Sequence, residues 1–206
     1  LPDYALASGA HTYPFKYSED ERPDLFGGLT RQYPSDDLGP WLARFLKMKY
    51  KTVDMVFIAH DTEAHILPEK DFFSISNDGG TMCSSALDLA LTHMKQYHPK
   101  SSWNNYVFQF SDGDNWDDDN PRCAKLITEM LEYTSMVGYG EISYKDDANF
   151  YGWIKSFDAS WSTLHKELSK IQHERFVTIA IKEKDDVYKA LEAFLGKKNM
   201  PAAAQK

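Results

Sequence analysis

The chain has 206 residues, 42% of them hydrophobic and 14% aromatic, enough to fill a core and too many for a disordered polypeptide. Acidic residues outnumber basic ones 31 to 23, giving a formal net charge of -8, which excludes the positive footprint of a nucleic-acid-backbone binder. No apolar run approaches the roughly 18 residues that span a bilayer, and the start, Leu1-Pro2-Asp3, has neither a basic n-region nor an apolar h-region. The expectation is a soluble cytoplasmic protein with no nucleic-acid or membrane partner. Its two thiols, Cys83 and Cys123, fit no zinc or Cys-x-x-Cys spacing.

Residues 1–40 carry Pro2, Pro14, Pro23, Pro34 and Pro40, with Gly27-Gly28 and Asp36-Asp37 between, and no strand or helix period persists. They read as a loop-rich arm. From Trp41 the pattern is regular. Trp41–Tyr50 has apolar residues at 41, 42, 45 and 46 and a basic last turn, which predicts a helix. Val53–Ala59 is mostly apolar, as a strand buried on both faces would be. Ser84–Tyr97 places Leu87, Ala90, Leu91 and Met94 on one helical stripe. Tyr106–Phe110 is a second strand, and Asn120 as N-cap with Pro121 behind it opens another helix. Val137–Ser143 reads as a strand despite its glycines, Trp153–Glu174 as helical, Phe176–Ile181 as a strand, and Asp185–Gly196 as a closing helix. Strands alternating with helices predict right-handed crossovers: an α/β, doubly wound, mostly parallel sheet with helices on both faces, spanning 41–196 and followed by a tail over 197–206.

Ligands of such sheets bind beyond the carboxyl ends of the strands, at the topological switch point. Two segments qualify. After the Tyr106 strand comes Ser111-Asp112-Gly113-Asp114-Asn115-Trp116-Asp117-Asp118-Asp119; after the Val53 strand comes His60-Asp61-Thr62-Glu63, then a loop to Gly79-Gly80-Thr81 at the mouth of the Ser84 helix. A hydroxyl and a carboxylate are hard oxygen donors suited to Mg²⁺; the same residues also suit a capping threonine and a solvated acidic turn. The aspartate run is no EF-hand, since counting from Asp112 puts Cys123 at position 12 and counting from Asp114 puts Lys125 there. The pairs His60/His65 and His93/His98 lack a third zinc ligand nearby in sequence. Cys83 stands near a helix N-terminus without an identifiable base, and Ser84 and Ser85 read as capping residues.

The runs Val56–Leu91 (VFIAHDTEAHILPEKDFFSISNDGGTMCSSALDLAL) and Phe108–Cys123 (FQFSDGDNWDDDNPRC), with a glycine-tyrosine strand and a closing KEKDDVYKALEAFL, resemble the YhbH/YeaH family of bacterial proteins, built on a von Willebrand factor A-type (Rossmann-like) domain. The resemblance covers roughly residues 41–196. It implies a metal-ion-dependent adhesion site that binds rather than catalyses, in which Thr81 ligates Mg²⁺ or Mn²⁺ directly and Asp112 holds it through water. An open coordination position would take an acidic group of a partner. Asp114 would stand in the second layer, and Gly79, Gly80, Asp114, Asn115 and Trp116 would contact the partner. The resemblance also implies a sporulation or nutrient-stress setting, with a serine protein kinase and a SpoVR-like protein as partners.

The family's first metal loop, Asp-x-Ser-x-Ser after an apolar strand, is not present. Asp24-Leu25-Phe26-Gly27-Gly28 supplies only an aspartate, which makes Asp24 a weak substitute, and Ser35-Asp36-Asp37 has suitable atoms in another order. The first strand is thus expected to be missing or replaced, although the sheet's centre needs one: unmet backbone groups would cost roughly 1–3 kcal/mol each. His11–Tyr17 is the only early extended candidate, and Pro14 cannot donate to a central ladder. Three explanations follow: an unseen or deleted stretch, a strand from a partner chain, or a rearranged sheet. Two further readings stand beside the metal-dependent interaction module. One is a metal-free scaffold. The other is a Mg²⁺-dependent phosphoryl-transfer hydrolase using Asp112 and Asp114, against which Lys182 and Asp185-Asp186 crowd one strand end instead of occupying separate ones.

Overall fold

The centre of the sheet comes from the segment with the weakest strand signal. The computed structural model describes residues 3–10, 46–48, 52–72, 82–142, 162–181 and 184–195. In it, β1 (Asp3–Ala10) lies between β2 (Val53–His60) and β4 (Asn104–Ser111), parallel to both. With β3 (Ala64–Leu67), β5 (Met136–Ile142) and β6 (Phe176–Ile181), the strand order is β3-β2-β1-β4-β5-β6, and only β3 runs antiparallel. Residues 3–10 therefore do not belong to a loop-rich arm, and the central slot is filled by this chain's own N-terminal segment instead of by a partner or a rearrangement. The sequence Asp-Tyr-Ala-Leu-Ala-Ser-Gly-Ala is rich in small residues of low strand preference. It is held by two hydrogen-bonded ladders, so the neighbours dictate its conformation. His11–Tyr17, Asp24 and Ser35-Asp36-Asp37 lie outside the described residues, as do 197–206.

Along most of their length β2, β4 and β5 are buried on both sides, which explains their largely apolar runs. On one face Val56, Ile58, Val107, Val137 and Tyr139 pack against α2 (Cys83–Tyr97), α3 (Asn120–Met130) and α4 (Thr163–Leu168). Leu87, Ala90, Leu91 and Met94 form the buried stripe of α2. On the other face Tyr106, Phe108, Met136 and Ile181 pack against Ala190 and Phe194 of α5 (Lys184–Leu195), with Leu46 from the helical turn at 46–48. Two elements within the expected His60–Gly79 loop carry no periodic signal. Asp61 Oδ1 accepts the Glu63 N–H at 2.8 Å, a local turn that reverses the chain into β3. The short α1 (Glu69–Phe72) then sets Phe72 against Phe57, with ring centroids 5.3 Å apart.

The helical reading of Trp153–Glu174 also needs correcting. Residues 153–161 lie outside the described ones, and α4 begins after Ser162, whose hydroxyl accepts the His165 N–H at 2.9 Å. It stops at Leu168 because the next bonds tighten to three-residue spacing: Lys170 N–H to Glu167 O and Ile171 N–H to Leu168 O. Among the described residues no helix is long and apolar enough to cross a membrane.

Gly138 explains why a strand with glycines survives in β5. A β-carbon there would lie 2.8 Å from the Phe194 ring and 3.2 Å from that of Phe108. The space of the missing side chain is filled by Phe194, which is fully buried and tilted 46° to the Phe108 ring, with centroids 5.5 Å apart. We expect Gly138→Val to lower stability by about 1–3 kcal/mol, read as a fall in the urea midpoint at unchanged m-value. Combining it with Phe194→Leu should recover part of the loss. An unchanged midpoint in the single variant would disprove this packing.

Candidate functional site

The carboxyl ends of β2, β1 and β4 come together where the strand order reverses. Ala10 is in register with His60, and Gly9 with Phe110. From β4 the chain enters the acidic loop 112–116 and a 3-10 turn over Asp117–Asp119 before α3. Asp112 stands half-buried at the strand's end, and its Oδ1 accepts the Asp114 N–H at 3.0 Å. Gly113 has a φ of +84°, and a β-carbon there would lie 2.7 Å from Ser162 Cβ and 2.8 Å from Glu141 Cδ. Only glycine both adopts this backbone and lets the loop lie on those side chains. Asp114, Trp116, Asp117 and Asp118 are exposed, Trp116 to 51%.

The loop's remaining polar groups turn inward and build a buried network. The N-cap of α2 is Met82, which has no side-chain acceptor, so the helix's first N–H groups are met from across the crest. Cys83 N–H donates to Asn115 Oδ1 and Ser84 N–H to Asp119 Oδ2, each at 2.9 Å. Asn115 Nδ2 donates to Asn120 Oδ1 at 2.8 Å, Asn120 Nδ2 to Thr163 Oγ1 at 3.0 Å, and Thr163 Oγ1 to Asp117 Oδ1 at 2.6 Å. This relay joins α2, the acidic loop, α3 and α4. The residues expected to cap helices therefore do other work. Asn120 cross-links instead of capping α3, and Ser85 Oγ donates back to Met82 O at 2.7 Å.

Asn115, expected at the partner surface, is instead a buried scaffold residue with both ends of its amide engaged. Thr81, Gly79 and Gly80 lie outside the described residues, so the structure places Asp112 but not its expected companion. Met82 N–H donates to Asp61 O at 2.8 Å, which fixes the start of α2 beside the end of β2. Sequence reasoning did not single out Glu141, placed Asp119 only within a solvated acidic run, and gave Asn120 and His60 other roles, as an N-cap and a zinc candidate. One sign was available: a helix preceded by Met82, with no capping residue of its own, next to a loop with surplus polar groups.

The electrostatics follow from burial. Burial disfavours charge on Asp119, but hydrogen bonds from Ser84, Cys123 and Asn115 outweigh it and hold its carboxyl below the usual range. The Cys123 thiol donates to Asp119 Oδ2 at 3.3 Å. Burial pushes the Cys83 thiol up to about 12 and raises Cys123 as well, so the helix N-terminus does not activate Cys83. His60 is 1% exposed, and neither ring nitrogen makes a hydrogen bond of good geometry. Desolvation brings its pKa down to about 4, against the weaker opposing pull of Asp61 and Asp119. Glu141, at the end of β5, accepts from Ser162 N–H at 3.1 Å, from Ser162 Oγ, and from Tyr139 OH at 3.3 Å, with His165 Nδ1 3.9 Å away. It fastens α4 and Gly113 to the sheet.

As zinc candidates the histidines gain no third ligand: His65 is exposed on β3, while His93 and His98 stack with ring centroids 5.4 Å apart at the opposite end of the sheet, where His98 Nε2 lies 2.7 Å from Asp54 Oδ2. Among the described residues no three His, Cys, Asp or Glu side chains converge to hold a metal. Mg²⁺ needs carboxylate oxygens that are open to it. Here Asp119 is closed over the start of α2 and Asp112 has one oxygen in a turn, so the described donors do not by themselves fit such an ion.

A family model described as "Protein of unknown function (DUF444)" matches residues 40–198. A UPF0229 protein of Halalkalibacterium halodurans is 44% identical over 176 residues, covering 84% of this chain and 42% of that protein. One of Shouchella clausii is 42% identical over the same shares, and one of Bacillus thuringiensis 40% identical over 167 residues, 81% and 39% respectively. The chain thus spans about two-fifths of the length of these relatives. Among solved structures, it is similar to the conserved hypothetical protein BatB from Bacteroides thetaiotaomicron, with a TM-score of 0.55 and 13% identity over 95% of this chain and 98% of that one. It is also similar to an aerotolerance-related membrane protein from Bacteroides fragilis, with a TM-score of 0.53 and 11% identity over 95% and 99%. At such identities the likeness is one of fold.

Two titrations test the network. Asp119 has a lowered folded pKa, so its contribution is present above the unfolded value near 3.8 and is lost as pH falls towards the folded value. Asp119→Ala should cost roughly 2 kcal/mol at neutral pH and flatten the acid limb of stability below about pH 4. His60 also has a lowered folded pKa, but as a base: the unfolded chain takes up its proton near 6.5 and the folded one near 4. Stability should therefore fall by roughly 3 kcal/mol between those values. His60→Leu should remove the largest part of that slope, the rest coming from His93 and His165, which burial also shifts down, and should leave the limb below pH 4. Denaturant melts across pH separate the two windows, and a wild-type curve flat from pH 6.5 to 4 would contradict the buried, neutral histidine.

Proposed function

The chain belongs to the DUF444 family, and on that premise we propose that it is a non-catalytic protein-interaction module whose binding face is the crest of the sheet. The observation that carries this reading is the division of labour in loop 112–119. Its inward groups are hydrogen-bonded into the frame, while Trp116 is left 51% exposed among the carboxylates of Asp114, Asp117 and Asp118. An exposed aromatic on a supported loop, flanked in sequence by exposed carboxylates, is the pattern of an interface anchor, and the sign of the charge complements a basic surface. The C-terminal edge at the switch point is also where sheets of this order bind ligands. The strand order, with its one antiparallel edge strand, agrees with the von Willebrand factor A-type resemblance. By that resemblance the setting is a bacterial, cytoplasmic stress or sporulation programme, with a serine protein kinase and a SpoVR-like protein as partners.

The phosphoryl-transfer alternative gains no support: Asp112 and Asp114 share a tight turn, and Asp186 engages Lys189 at 2.7 Å within α5.

Binding of the purified kinase and SpoVR-like protein to the chain, followed by biolayer interferometry, tests the proposal. Trp116→Ala should weaken one of them about tenfold or more, and Asp114→Asn should reduce the on-rate and its salt dependence. Tyr97→Ala, at the far end of α2, should change nothing. Equal effects of Trp116→Ala and Tyr97→Ala would move the interface away from the crest.

A further inference from the structure

The metal-dependent version of the crest requires an acidic loop at the end of the sheet's first strand, and the structure identifies which strand that is. β1 ends at Ala10, opposite His60 and one residue past the Gly9–Phe110 pair. The residues that follow it in sequence are His11-Thr12-Tyr13-Pro14-Phe15-Lys16-Tyr17-Ser18, and no carboxylate appears before Glu19. Within β1 the only acid is Asp3, at the other end of the strand. Asp24, considered above as a substitute for the missing loop, is fourteen residues further along the chain than Ala10, so it does not belong to the segment that directly follows the strand.

Several acids near the switch point have defined partners. Asp119 Oδ2 receives both the Ser84 N–H and the Cys123 thiol, and one oxygen of Asp112 receives the Asp114 N–H. Glu141 is enclosed by Ser162, Tyr139 and His165. Asp117 accepts the Thr163 hydroxyl. A small, hard dication that gives up its water reluctantly needs dedicated carboxylates. Among the described residues the strand ends leave Asp112 and Asp61, each with one oxygen in a turn, and the exposed Asp114, none of them from the strand in the first-loop position.

We propose that the crest of this chain works without a divalent cation: the strand that occupies the first-loop position ends in a sequence that cannot complete an Mg²⁺ or Mn²⁺ site. The inference rests on the crest being the binding face only for its location. Without an ion there is no vacant coordination position for an acidic group of a partner, and the exposed charge of the face stays negative. Partner recognition then falls to Trp116 and the loop carboxylates acting directly on cationic groups.

The test is titration of the full 206-residue chain with MnCl₂ and MgCl₂, followed by calorimetry and by the electron paramagnetic resonance signal of free Mn²⁺. We expect no saturable heat at millimolar metal, no depletion of the free Mn²⁺ signal beyond that of Asp112→Asn, and a melting midpoint unaltered by EDTA. Asp112→Asn keeps the turn acceptor and removes the charge, so it should fold. Saturable binding of one ion per chain would overturn the proposal, whether or not Asp112→Asn abolishes it. Partner affinity that collapses in EDTA would overturn it too. Neither result touches the location of the interface, which stands or falls with Trp116→Ala.

Discussion

The crest depends on one exchange of hydrogen bonds. Helix α2 begins without an acceptor of its own, and the loop after β4 supplies it with Asn115 and Asp119. Two buried N–H groups left unmet would cost several kcal/mol between them. The helix therefore cannot settle on the sheet until that loop is in place, nor can the loop take its shape without the helix. Asn120, Thr163 and Asp117 extend the same dependence to α3 and α4. A binding surface on this loop inherits its rigidity from the hydrophobic face of the sheet, through polar contacts that a surface loop would not ordinarily make.

Most of the sheet was legible because parallel strands buried on both faces need apolar side chains at every position. The runs at Val53–Ala59, Tyr106–Phe110 and Phe176–Ile181 have them at all but one position each, Asp54, Gln109 and Thr178, and each is a strand. The stripe of Leu87, Ala90, Leu91 and Met94 was likewise legible as the buried side of a helix. What escaped was whatever owed its conformation to a distant partner. Asp3–Ala10 takes its extended form from the strands on either side. The short β3 forms because Asp61 closes a turn. The caps of α2 lie 32 and 35 residues from the groups they serve, and no local spacing announces such a pairing.

The candidate site divides in the same way. That chemistry should lie at the ends of successive strands follows from the alternation of elements alone, and the Asp112 loop does stand at the end of β4. Which of its residues face solvent could not be read from composition, since five aspartates and an asparagine look alike on paper. The frame separates them. Asn115 and Asp119 are drawn in by unpaired backbone donors, while Trp116 is held out because its neighbours are committed elsewhere.

The position of β1 bears on how this domain is to be delimited. The family model begins at residue 40, thirty residues after the end of the strand that sits in the middle of the sheet. A fragment trimmed to the family boundary would keep every described helix and five of the six described strands and still open a furrow between β2 and β4, with two rows of bare amides and carbonyls facing each other across it. For anyone expressing the protein in parts, the smallest unit worth making starts upstream of Asp3.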